Sequence, residues 1–220
     1  METLAKRSLI WVTIASLLFV IFSAVRFGAA EFLSTSAHES MLDLDFARQP
    51  PSAAQLEAVA RQLEMALFLA GGNPGPHEDI GYLSLMRAAL PDISPDEKKA
   101  QLQTGMSGLR TATALRPVSP YSWTLMLFVK RELGEFDAEF FHALRRSVEL
   151  GPWEPELLES LADVGLSAWN EMPAAEQALI RQVFARGMKS QNRQVLDIIR
   201  AHQNGCALLA EDEKQKLGCQ

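Results

Sequence analysis

Apolar and polar positions are arranged along this chain in two different ways. Residues 8–25 read SLIWVTIASLLFVIFSAV and carry no charge, with Lys6 and Arg7 before the run and Arg26 after it. At about 1.5 Å per helical residue the run extends roughly 27 Å, close to the hydrocarbon thickness of a bilayer. It predicts one membrane-spanning helix, with residues 1–26 as the anchor. Beyond residue 51 apolar residues recur at spacings of three and four, and no stretch alternates as a half-buried strand would. Leu56, Val59, Ala60, Leu63 and Leu67 form one stripe of a helix over 52–70, ended by Gly71-Gly72-Asn73-Pro74-Gly75-Pro76. A second helix, over 77–90, is closed by Pro91. Further helices are predicted over 119–133, from Phe136 through Val148, and over 153–169, 173–189 and 192–203. The expected fold is all-α: a membrane helix, an acidic connector over 27–51, and a helical domain over 52–220.

An internal repeat refines that picture. Residues 115–123 read LRPVSPYSW and residues 150–158 read LGPWEPELL, so Pro117 and Pro152, and likewise Pro120 and Pro155, lie 35 residues apart. The period is close to that of tetratricopeptide units, helical hairpins in which small residues allow close approach and a proline sets the corner. Gly134-Glu135-Phe136 suits the turn inside such a unit. Ala112 and Ser147 each take the small position five residues before the first proline of a corner. The interval from Gly134 to Pro152 is one residue longer than usual, which makes the repeat divergent. The run at 123–129, WTLMLFV, is too short to span a membrane and predicts a central helix.

Charge places the domain. Lys6 and Arg7 hold positive charge on one side of the apolar run; after Arg26, Glu31, Glu39, Asp43 and Asp45 precede the next cation, Arg48. The positive-inside rule puts the N-terminus in the cytoplasm and the bulk across the inner membrane, in the periplasm of a bacterium. A cleaved secretory signal, processed at Gly28-Ala29-Ala30, is the alternative, although a signal core has only about 7–15 apolar residues. Both cysteines, Cys206 and Cys219, sit in the tail and suit a disulfide in an oxidising compartment, provided that 206–210 runs extended beside a short helix over 211–217. Two unpaired thiols are the alternative. Formal net charge is −6 for the whole chain; beyond Arg26 there are 18 Lys/Arg against 26 Asp/Glu, leaving −8. Nucleic acid or an anionic lipid surface is a poor partner for such a surface.

The residues present no set for catalysis. His38, His77, His142 and His202 are scattered, with no pair at metal-ligand spacing. His77-Glu78-Asp79 reads as acidic residues at a helix N-terminus. Glu39, Asp43 and Asp45 resemble a pair of glycan-cleaving acids only in composition and read as a solvated linker. Phosphate-loop, dinucleotide and Gly-x-Ser-x-Gly fingerprints are missing, and Gly105-Met106-Ser107-Gly108 sits where small residues serve helix packing. The expectation is therefore no enzyme, no cofactor and no metal. Trp123, Trp153, Arg145 and Arg146 are the candidate partner-binding residues of a groove between hairpins. For Trp153 and Trp169 core packing is the alternative, and for Lys130-Arg131 and Arg145-Arg146, which would suit an acidic glycan, the alternative is exposed helix faces paired with acids.

The stretch 116–169 resembles the VpsP-like family of bacterial polysaccharide biosynthesis proteins. The resemblance rests on Pro-x-x-Pro-Tyr-x-Trp, on Gly-x-Phe-Asp-Ala-Glu-Phe and on Leu-Gly-Pro-Trp-Glu-Pro. It implies a membrane-anchored periplasmic accessory or adaptor protein of exopolysaccharide biosynthesis or export. Its partners would be other proteins of that assembly machine, with direct glycan contact open. A tetratricopeptide-like envelope scaffold for secretion or cell division is the alternative.

Overall fold

A computed structural model describes residues 2–44, 51–202, 205–209, 211, 214, 215 and 218. Every regular element among them is helical. The chain divides into two compact units, residues 1–79 and 80–220.

The first unit is built on α1 (Glu2–Leu42), α2 (Ala53–Ala70) and the first turns of α3 (Pro74–Ala88). Its N-terminal helix is long and apolar enough to cross a membrane. The segment from 27, expected as a connector, instead continues α1 unbroken to Leu42; of the remainder, 45–50 lies outside the described residues. Ala30, Ser34, Ala37 and Met41 recur at steps of four, three and four and are buried. α2 packs along this stretch and buries Leu56, Val59, Leu63, Ala66 and Ala70 at the same rhythm. Small side chains on both helices let their backbones approach, and the two run antiparallel, with Ala30 and Ala70 lining one cleft. Ser52 caps α2 in a reciprocal box with Gln55, which satisfies two of the orphan donors at the helix start.

α3 begins at Pro74, three residues before the expected start. The Gly/Pro-rich turn is partly helix, because Pro74 and Pro76 fall in the first turn, where a missing N–H costs nothing. Asn73 ties this turn down twice: its Oδ1 accepts from Gly75 N at 3.0 Å and its Nδ2 donates to Glu31 Oε2 at 3.0 Å. His38 Nδ1 donates to Asp79 Oδ1 at 2.8 Å. Glu39 and Asp43 are exposed at the end of α1, whereas Asp45 is outside the described residues.

The second unit contains the rest of α3, then α4 (Pro95–Leu115), α5 (Pro120–Leu133), α6 (Ala138–Leu150), α7 (Pro155–Ser167), α8 (Ala174–Lys189) and α9 (Arg193–Ala201), with short 3-10 turns at Trp169–Glu171 and Cys206–Leu208. α5 is central: it packs on α4, α6 and α7. α7 then packs on α8 and α9. Leu109, Leu127, Val129, Phe140, Leu144, Leu161, Val164, Ile180, Phe184, Val195 and Ile199 form one continuous core. Burying each Leu or Phe contributes about 1.5–3 kcal/mol, so helix packing dominates stability. The Gly105–Gly108 stretch lies inside α4, where Gly105 abuts Ser84 of α3 and leaves no room for a Cβ.

Local signals mark the boundaries. Pro120 and Pro155 are each the first residue of a helix, one repeat apart. Gly134 ends α5 in the left-handed conformation (φ 71°), which releases its N–H to Arg131 O and the Glu135 N–H to Lys130 O. Asp137 caps α6 and Asn192 caps α9. Pro173 precedes α8 as its cap instead of entering the first turn. Cys206 opens a 3-10 turn in place of the extended run on which the disulfide reading was conditioned. Cys206 is not a free cysteine, and Cys219, the partner expected for it, lies outside the described residues.

Candidate functional site

The charged side chains of the second unit gather where α4, α5 and α6 meet. Lys130 points inward from α5 and is 1% exposed. Its Nζ lies 2.8 Å from Asp137, 3.1 Å from Glu139 and 3.2 Å from Glu135. Arg110 of α4 grips the same Glu139 with two bonds, Nε to Oε1 at 2.7 Å and Nη2 to Oε2 at 2.8 Å. Two-pronged arginine pairs of this kind are strong and directional, so Glu139 locks α6 against α4.

Each ion holds the others in the charged state. Burial disfavours the Lys130 ammonium, but its hydrogen bonds to the three carboxylates outweigh that and raise its pKa above the ordinary lysine value. Burial likewise opposes the Asp137 carboxylate, yet Lys130 and the N–H groups of Phe140 and Glu139 bring its pKa below the usual range. For Glu139 the bond from Arg110 is the main cause of a lowered pKa, with Lys130 adding to it against burial. The Arg110 pKa is raised in turn, chiefly by Glu139. All these groups are committed to one another, which makes the cluster a structural clasp. Among the described residues no group of three or more His, Cys, Asp or Glu is placed to hold a metal ion.

Beside the clasp runs an open cleft of about 370 Å³, lined in part by Arg110, Thr113, Pro117, Trp123, Glu139 and His142. Trp123 and His142 meet edge to face, ring centres 5.2 Å apart. The Trp123 indole Nε1 donates to Pro117 O at 3.0 Å, and Arg146 Nη2 donates to the same carbonyl at 3.3 Å. Two of the four candidate partner-binding residues therefore converge on the first Pro-x-x-Pro corner.

The other two stand apart. Arg145 forms an ion pair with Glu176 of α8, whose side chain is largely buried. Trp153 sits at the second corner, 53% exposed, with Lys189 Nζ 5.4 Å and the Arg186 guanidinium 5.9 Å from its ring centre. Cations at this distance are attracted by the face of an indole, which steadies a large apolar group in water. Acids pair with the basic residues, but on half-buried positions: Arg131 meets Asp163 at 2.5 Å and Arg146 meets Glu149 at 2.7 Å. Lys130 alone of the four is fully buried. Trp169 is half-buried against the core, with Arg181 over its ring.

Sequence reasoning missed Arg110, Asp137, Glu139 and His142. The signal was present in the acids 135, 137 and 139, which follow a lysine embedded in the apolar run LMLFVKREL. No family model matches the chain, and no curated protein or solved structure matches it.

Proposed function

We propose that this chain is an inner-membrane-anchored periplasmic adaptor in exopolysaccharide biosynthesis or export, working through protein contacts made by a tetratricopeptide-like helical array. The observation that carries the reading is the pair of Pro-x-x-Pro corners. Both sit on ordered turns, and both leave large apolar groups in water: Val118 and Tyr121 at the first corner, Trp153 at the second. Exposed aromatic side chains flanked by cations are typical anchors of protein interfaces. The polysaccharide assignment rests on the resemblance of 116–169, in which these same corners carry the motifs.

The direct test is deletion of the gene with measurement of secreted polymer, followed by cross-linking from position 153 in intact cells. Reduced polymer and capture of a polysaccharide polymerase or exporter support the proposal. Normal polymer yield and chain length, with capture of secretion or division proteins, would assign the same surface to a general envelope scaffold.

A further inference from the structure

Two runs of the second unit carry cations and no acid. The run 98–131 has six cations, and four of them are met by acids from outside it: Lys98 by Glu132, Arg110 by Glu139, Lys130 by its three carboxylates and Arg131 by Asp163. The run 177–196 has four, Arg181, Arg186, Lys189 and Arg193. Among the described residues none of these forms an ion pair. The same pattern in sequence is thus neutralised in one place and left open in the other.

The open charges look outward. α8 packs on α6, α7 and α9 and buries Ile180, Val183, Phe184 and Gly187. On the opposite side Arg181, Ala185 and Lys189 follow one another at steps of four, with Ala178 and Gln182 beside them, all exposed. From Arg181 to Lys189 this strip is about 12 Å long. Local roles explain only some of its charge. Arg186 and Lys189 stand in the last turn of α8, where the helix dipole favours cations. Arg181 lies too early to gain from it, and Arg193 is the first residue of α9, the end at which the dipole disfavours a cation. Arg186 is moreover short of a hydrogen bond: its Nη1 is buried with no acceptor, and its Nη2 reaches only Gln182, at 3.5 Å.

We infer that the outer face of α8, together with Trp153, docks an acidic segment of a partner protein whose carboxylates meet Arg181, Arg186 and Lys189. This rests on the adaptor reading, whose partner it describes. Opposite charge selects such a segment on a domain that is acidic elsewhere, and the small alanine side chains between the cations let a polypeptide backbone come close. A glycan fits less well, because sugar hydroxyls need acceptors as well as donors and this strip offers no carboxylate.

The test follows the fluorescence anisotropy of a labelled peptide on the full chain in neutral detergent micelles. The peptide has the length of α8, 16 residues, with glutamate at every fourth position among alanine and glutamine. The same peptide with glutamine for glutamate, and oligogalacturonate, are the comparison probes. Arg181→Gln/Lys189→Gln removes two cations from the strip, and Lys98→Gln/Lys99→Gln removes two from the start of α4 as a control for net charge. The glutamate peptide is expected to bind, about five-fold or more weaker in the α8 variant and within about two-fold of the parent in the α4 variant. Equal weakening in both variants reduces the effect to net charge and overturns the docking face. Equal binding of the glutamine peptide overturns it as well. Binding of oligogalacturonate in place of the peptide assigns the strip to an anionic glycan and overturns the inference, as does a lack of binding by every probe. Polymer yield keeps this failure apart from that of the adaptor. Polymer restored to the deletion strain equally by the parent and the α8 variant overturns the docking face alone. Normal polymer in the deletion strain overturns the adaptor reading, and peptide binding still decides the face.

Discussion

Gly151 lies against Pro120: a Cβ built on the glycine would stand 3.3 Å from the proline Cβ and inside the Leu157 side chain. The two Pro-x-x-Pro corners, 35 residues apart in sequence, are therefore neighbours at one end of the second unit. A repeat in sequence becomes a contact in space. Gly151→Val forces Leu157 and Pro120 apart, and overpacking of this sort costs about 1–3 kcal/mol. The urea midpoint should fall accordingly with little change in slope; an unchanged midpoint would show that the corners are free to separate.

The Lys130 clasp predicts a definite pH profile. Asp137 and Glu139 have lowered pKa values in the folded state, so the stability they contribute is present above the unfolded carboxylate value, about 4. It is lost as pH falls through their folded values. Lys130 is raised, so its contribution is complete below the unfolded lysine value, about 10.4, and is lost as pH rises through the folded one. Denaturation midpoints should be flat from about pH 6 to 9 and decline on both sides. In Lys130→Met the three carboxylates keep part of their hydration, so the loss at neutral pH is about 1–3 kcal/mol. The acid and alkaline declines that belong to the clasp should shrink; profiles parallel to the parent's would refute this account.

Trp153→Ala separates binding from folding. The side chain is half exposed and its cation contacts contribute about 0.5–1 kcal/mol at such sites. The thermal midpoint should move by only a few degrees. If the corner is an interface, capture of partners should drop about ten-fold or more, as expected for an aromatic anchor. Equal capture by parent and variant would place the partner surface elsewhere.

The cysteine tail gives a simple chemical prediction. If Cys206 and Cys219 pair in the periplasm, the unfolded, unreduced protein should contain no thiol reactive to Ellman's reagent, and two after reduction. Closing that loop stabilises the tail by about 3 kcal/mol in the chain-entropy model. Two reactive thiols before reduction would refute the pairing.

Most helix boundaries of the second unit were legible because they carry local chemistry. Pro120, Pro155, Gly134, Asp137 and Asn192 each act within a turn or two of their own position. Part of what escaped reading depended on partners on other elements. The stretch 27–42 looked like a linker because its buried stripe is Ala30, Ser34 and Ala37, side chains too small or too polar to register as apolar periodicity, with Met41 the one large apolar member. They are buried because α2 packs on them with small residues of its own. The early start of α3 was hidden by Pro74 and Pro76, which usually interrupt helices and here begin one. Lys130 was read as half of a surface pair because its neutralising acids lie beyond the turn and Arg110 on another helix. The partner residues divided for the same reason: Trp123 and Arg146 are brought together by a backbone carbonyl, a group no side-chain pattern reports.

α1 runs from Glu2 to Leu42 as one continuous element. Such a rod couples height to azimuth in the manner of a screw. One residue inserted near Gly28 would lift the hairpin by about 1.5 Å and swing it through about 100°. Seven inserted residues would raise it by about 10.5 Å while returning it to within about 20° of its original bearing. The register of this shaft thus meters both how far from the apolar run the hairpin stands and which way it faces.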